Sequence, residues 1–327
     1  MRSPARPVLA FMASLALLLS VTSFAAAARQ PDVARASTPI SYMGVYGGHS
    51  GESRPAGKAG GAKNLMSNGG AIQAAPVVYI SFWGPEWADT TFSSGGYTYA
   101  QATTYNTDFF SSVGGSNWNG IVTQYCEGVA KGTTTCPSSA TFITNNPGQL
   151  AGSWNDPTAV PSSPTQANIV DAAKRLAAHF NVSAAGQANA TFMVFTPHNK
   201  SMNGFAATGG NWCAWHSSTT NNSAAFAYAY IPYIPDAGTS CGQNFINKTN
   251  NTYGNGWFDG FSIVAGHEYS EAETDPFPSS GWVDRQGAEN ADKCAWSSKS
   301  ANISLGSHVY AVQPTWDNSI SGCPTVS

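Results

Sequence analysis

His267, Glu268 and Glu271 stand in the order H-E-x-x-E within DGFSIVAGHEYSEAETDPFPSSGWVDRQGAENADKCAW, residues 259–296. Seven of the chain's 18 acidic residues fall between Glu268 and Asp292, in a chain that is only 10% charged, so the concentration needs a cause. If 258–274 is a helix, His267 and Glu271 lie one turn apart on one side. Glu268 then sits about 100° round, at the edge of that side. A metal held by His267 and Glu271 would leave the Glu268 carboxylate close to a coordinated water. That is the logic of H-E-x-x-H metalloproteases, with a carboxylate replacing the second imidazole.

A catalytic zinc needs about three protein ligands, an open position and a base. The third ligand must come from beyond Asp275-Pro276, where the helix should end, and Asp284, Glu289 and Asp292 are the candidates. Glu289 is preferred, because its distance from the histidine resembles the spacing in thermolysin-like proteins. Asp292, one turn later, would orient a ligand or replace Glu289. The expected metal set is therefore His267, Glu271, Glu289 and Asp292, with Glu268 as general base. His216, in GGNWCAWHSST, is a second catalytic candidate, able to stabilise an oxyanion or act as an acid. Packing within an aromatic, disulfide-tied loop would account for it equally well.

Charge argues against zinc. One imidazole and two carboxylates already neutralise the ion, so a bound water is acidified less than at a histidine-rich site. Oxygen-rich donors also favour calcium or manganese. A structural calcium site built from Glu271, Asp275, Asp284, Glu289 and Asp292 is thus one alternative. Another is no metal at all, with Glu271 and Glu273 on a solvated helix face. A paired-carboxylate glycosidase using Glu268, Glu271 and Asp284 is a third. No G-x-S-x-G elbow is present to anchor a serine hydrolase.

The elements that must position these groups are legible in part. AAPVVYISFWG reads as a strand buried on both faces, and Ala190–Pro197 as a second buried strand. Ala225–Tyr233 alternates aromatic and alanine at period two. Helices are expected over Tyr97–Val113, over Asn117–Tyr125, and from Pro164-Thr165 through the stripe Ile169, Ala173, Leu176 and Phe180. SHVYAVQPTW alternates as a strand would, and His308 or Tyr310 could face the site. Residues 29–70, with GGHSGESRPAGKAGGAK at their centre, read as a flexible arm or pro-segment. His49 within them reads as solvated. The expected whole is a single α+β, zincin-like domain over 71–327. It has a mixed sheet packed on helices, the motif on a central helix, and a disulfide-tied C-terminal segment.

Arg2 and Arg6, the apolar run Val8–Val21 and the small residues Ala25–Ala28 read as a secretory signal peptide over 1–28. Six cysteines without a C-x-x-C pair fit an oxidising compartment, and their order favours Cys126–Cys136, Cys213–Cys241 and Cys294–Cys323. A formal charge of −3 without a basic patch makes nucleic acid a poor partner. No other run approaches the length of a membrane span. A secreted, extracellular monomer acting on a peptide, a protein or a cell-wall component is expected.

The ordered set GGAIQAAPVVYISFWG, TFMVFTP, CAWHS and AGHEYSEAETDP…GW…AENADKCAW resembles the phosphate-induced protein 1 (EXORDIUM-like) family and related secreted microbial proteins. The resemblance covers roughly Gly69 to Cys323. It maps the family's recurrent pattern onto His267, Glu268, Glu271, Thr274, Pro276, Glu289, Asp292 and Cys294. Asp275 stands where plant members often have Asn, and the amino-terminal arm is this chain's own. The resemblance implies an extracellular protein. It leaves two classes standing: a zinc-dependent metallopeptidase, and a non-catalytic, cell-wall-associated protein whose metal (calcium) is structural or absent.

Overall fold

A computed structural model describes residues 39–46 and 64–325. The expected signal peptide and the glycine-rich 47–63, with His49, lie outside the described residues. In chain order the strands are β1 Ile40–Gly44, β2 Met66–Ser67, β3 Val77–Trp83, β4 Cys126–Glu127, β5 Thr141–Phe142 and β6 Leu150–Asp156. They continue as β7 Ala190–Phe195, β8 Trp212–Asn221, β9 Ala224–Ile231, β10 Trp282–Val283, β11 Ala301–Leu305 and β12 His308–Val312. The α-helices are α1 Tyr99–Val113, α2 Asn117–Gly120, α3 Gln166–His179, α4 Ala184–Gln187 and α5 Asp259–Thr274.

Six strands form one mixed sheet in the order β1-β8-β9-β7-β3-β6. The β9-β7-β3-β6 half is parallel, and β8 joins β9 and β1 antiparallel. Burial of both faces in the parallel half explains the unbroken apolar runs of β3 and β7. The fold is α+β with a mixed sheet, as the order of patterns implied. Thr98 and Thr165 cap α1 and α3, each in a reciprocal capping box, with Gln101 and Asn168 as partners.

Two readings of the sequence are corrected. The arm over 29–70 is not wholly loose, because Ile40–Gly44 is an edge strand of the main sheet and Met66–Ser67 pairs with Trp282–Val283. The Trp212 segment is a ten-residue strand, not a loop. Its turn into β9 places Asn222 and Ser223 at φ 49° and 65°, the two left-handed positions of a type I′ hairpin. That turn fixes the register, which sets His216 opposite Ala229 on one side and Ser41 on the other.

All sixteen residues of α5 are buried. A helix enclosed on every side lacks a polar stripe, so its charged residues must find partners inside the protein. Close packing requires small residues. A Cβ on Gly260 would lie 2.2 Å from the Cys241 carbonyl oxygen, and one on Gly266 would press against Trp118 and Phe109. Asp259 opens the helix, its carboxylate accepting from the backbone N–H of Ile246, Asn247 and Gly256. Asp275 closes it and accepts from the N–H groups of Ser279, Ser280 and Gly281, which turns the chain back.

The three disulfides are the local set read from cysteine order. Cys213–Cys241 ties β8 to the segment packed on Gly260 and closes a span of 28 residues. Replacing both cysteines with alanine is expected to cost about 3 kcal/mol in urea unfolding, from the freed chain entropy. A loss under about 1 kcal/mol would mean that packing alone holds β8 in place. Among the described residues no helix is long and apolar enough to cross a membrane.

Candidate metal centre

Three separate segments converge on one buried cluster. His267, Glu268 and Glu271 come from α5, and His216 comes from mid-strand in β8. Glu289 and Asp292 come from the turn after β10, which the Asp284 carboxylate braces by accepting from the N–H groups of Gln286 and Ala288. Both histidines, Glu268 and Glu271 are fully buried, and Glu289 and Asp292 are 2% and 5% exposed.

The donor atoms lie where an ion would want them. Donors about 2.1 Å from a tetrahedral ion are about 3.4 Å from one another. His267 Nε2 is 3.0 Å from Glu271 Oε1 and 3.7 Å from Asp292 Oδ1. His216 Nδ1 is 3.2 Å from Glu268 Oε2 and 3.5 Å from Glu271 Oε2. Three of the buried polar atoms, His267 Nε2, Glu268 Oε1 and Glu271 Oε2, make no hydrogen bond. Leaving a buried polar atom unpaired costs about 1–3 kcal/mol, and more for a charged group. A cation between these atoms would remove that cost, so the residues fit a metal.

Both imidazoles are turned for ligation. Gln313 donates Nε2–H to the Ala291 carbonyl at 2.9 Å, which leaves its Oε1 3.4 Å from His267 Nδ1. A proton held there makes Nε2 the lone-pair nitrogen, facing Glu271 and Asp292. His216 Nε2 is 3.4 Å from the Asp275 carbonyl oxygen, which can only accept, so in the neutral ring Nδ1 is the lone-pair nitrogen facing Glu268 and Glu271.

Electrostatics give the same account. Burial pushes the carboxyl of Glu271 well above its ordinary range, and the charges of Asp292 and Glu268 push it further. Burial does the same to Glu289, with Glu271 adding to it. Asp292 is raised by burial, against the favourable charge of His267. Burial alone would lower His216, but the carboxylates of Glu289 and Glu268 reverse this and lift it to about 9. Among the described residues no lysine or arginine pairs with these carboxylates, since Arg175, Lys200 and Lys293 bind Asp156, Glu86 and Asp284. The folded cluster must therefore take up either protons or metal ions.

The residues singled out in the sequence fare differently. His267, Glu271 and Asp292 form one close trio, and His216, Glu268 and Glu271 form another. Glu289, the preferred third ligand, stands one remove away, held by Ser41 Oγ at 2.8 Å and 3.8 Å from His216 Nε2. The five-carboxylate calcium set is not assembled. Asp275 is spent on its turn, and Asp284 binds Lys293 Nζ at 3.0 Å. Glu273 and the α5 surface are buried, so the solvated-face reading is also corrected. His308 stacks on Tyr253 and Tyr310 bonds the Tyr253 hydroxyl, away from the cluster.

Ser41 and Gln313 are site residues that the sequence reading missed. Gln313 carried a faint signal, a polar residue at the end of an apolar strand. Ser41 carried none, since its partner lies 248 positions away. Comparison with protein-family models, with curated proteins and with solved structures finds no match for this chain.

Proposed function

We propose that the chain is a metal-dependent hydrolase of the extracellular space, in which His267, Glu271 and Asp292 hold a divalent ion. The observation that carries this reading is the convergence of three buried donor atoms, on His267, Glu268 and Glu271, that make no hydrogen bond. Two imidazoles in the cluster favour zinc, or manganese, over an oxygen-seeking calcium. Such an ion would supply Lewis acidity and make a coordinated water easier to deprotonate. Glu268 presents its uncommitted Oε1 and takes the proton. His216 lies beside the same carboxylate, its Nδ1 3.2 Å from the other oxygen. A motif helix set against a mixed sheet supports the zincin-like layout, and a peptide, a protein or a cell-wall polymer is the substrate class. The disulfides are consistent with export.

Burial favours a second reading. A centre with ligands at most 5% exposed can serve as a cross-link between β8, α5 and the Glu289–Asp292 turn, in a non-catalytic, EXORDIUM-like protein. Glu268→Gln separates the two. For a hydrolase the rate on peptide and cell-wall substrates should fall at least about 100-fold while the ion at His267 stays bound. A wild-type chain that carries its metal but turns over none of these substrates would favour the cross-link.

A further inference from the structure

The ligand-type atoms form two groups, and Glu271 belongs to both. Its oxygens point to different imidazoles, Oε1 to His267 at 3.0 Å and Oε2 to His216 at 3.5 Å. We propose that the centre holds two divalent cations bridged by the Glu271 carboxylate. One lies among His267 Nε2, Glu271 Oε1 and Asp292 Oδ1, the other among His216 Nδ1, Glu268 Oε2 and Glu271 Oε2. This rests on the reading of the cluster as a metal centre and extends it to a second ion.

Three independent features support two ions over one. Glu271 Oε2, the oxygen assigned to the second group, is buried without a hydrogen bond. A single ion at His267 would leave the Glu271 Oε2 side uncompensated. Each imidazole has its remote nitrogen beside a protein acceptor, so two lone pairs are offered, one to each group. Charge balance agrees. With neutral imidazoles, the four carboxylates Glu268, Glu271, Glu289 and Asp292 carry four negative charges, which two divalent ions neutralise and one does not. Two imidazoles with four carboxylates is also the donor complement that serves two ions in carboxylate centres of helical bundles, on an unrelated architecture.

In this arrangement Glu268 commits Oε2 to the second ion and keeps Oε1 for a proton. Glu289, anchored by Ser41, lies on the Nε2 side of His216, away from the nitrogen offered to that ion. The second position is thus assembled from β8 and α5, and the first from α5 and the Glu289–Asp292 turn.

The test is zinc stoichiometry of the full secreted chain by elemental analysis after zinc loading and gel filtration. It is run beside His216→Ala and His267→Ala, with far-UV circular dichroism to confirm folding. Two zinc ions per chain, falling to one in folded His216→Ala, is the expected result. One ion in the wild type, unchanged by His216→Ala and lost in His267→Ala, would overturn the second site and leave the metal centre standing. One ion lost in both variants would also overturn it, since a single ion would then be shared by all the donors. No zinc in any sample would remove both readings. If His216→Ala does not fold, wild-type stoichiometry decides. Electron paramagnetic resonance of the manganese-loaded wild type adds a second readout, with a spin-coupled pair expected and an isolated-ion spectrum counting against the bridge.

Discussion

Treating the chain with a general divalent chelator at pH 7 is expected to lower its thermal unfolding midpoint by about 10 °C. An ion that binds only the folded chain, at a free concentration of 1,000 times its Kd, contributes about 4 kcal/mol. In a chain of this size each kcal/mol moves the midpoint by about 2–4 °C. The structural cause is that the cluster ties together β8, α5 and the Glu289–Asp292 turn with carboxylates that no lysine or arginine among the described residues pairs. The deficit should grow with pH. Folding raises the carboxyl groups of Glu271, Glu289 and Asp292, so the stripped chain binds more protons folded than unfolded. His216, lifted to about 9, acts in the same direction. The stability these groups contribute is complete in acid. It is lost as pH rises past the ordinary carboxylate range, and for His216 between its ordinary 6.5 and about 9. The loaded chain behaves oppositely, because the ligands must lose protons to bind. A calcium-selective chelator should leave the midpoint in place. An unchanged midpoint with every chelator, across pH 5 to 9, would mean that protons alone neutralise the cluster.

What the sequence revealed and what it concealed divide along the range of the interactions. The pairing of His267 with Glu271 follows from one helical turn, and a residue count suffices to see it. The cores of β3 and β7 follow from apolar runs, because burial on both faces leaves no alternation to misread. His216 was noticed for its type but assigned to a loop, since a strand interrupted by cysteine, tryptophan and histidine has no clean period. Its place in the cluster is set by the register of β8, and that register is fixed by a turn six residues away. β1 was missed because ISYMG is short and lies beside glycine-rich sequence. β6 was missed because LAGSWND, half-exposed at the sheet edge, carries few of the large apolar residues that mark a strand. The acidic stretch misled in a different way. Asp275 and Asp284 have the same chemistry as Asp292, but each accepts nearby backbone N–H groups and is used up locally. Composition can announce a cluster of carboxylates. Only geometry shows which of them have oxygen atoms to spare.

Glu273 provides a test of the helix environment away from the metal donors. It is fully buried on α5, receives the Asn119 Nδ2–H at 3.0 Å through Oε1, and leaves Oε2 without a hydrogen bond. Burial is the main cause that lifts its carboxyl from 4.5 to about 8, and the bonds from Asn119 and Tyr269 oppose the rise only in part. The folded chain therefore keeps this group protonated at neutral pH, whereas the unfolded chain ionises it. A raised carboxyl contributes stability below the unfolded value and loses it as pH climbs to the folded value, so Glu273 weakens the fold progressively between pH 4.5 and about 8. At pH 7 the loss amounts to about 3 kcal/mol by linkage. Glu273→Gln has nearly the same shape, keeps an oxygen for Asn119 and cannot ionise. Its stability in urea should match the wild type near pH 4, exceed it by about 3 kcal/mol at pH 7 and by about 5 kcal/mol above pH 8. Running both proteins in the same chelator removes any change at the metal donors from the comparison. A difference that does not vary with pH would show that Glu273 is already ionised in the folded chain. Asn119 and Tyr269 would then be sufficient to hold a bare carboxylate inside the protein.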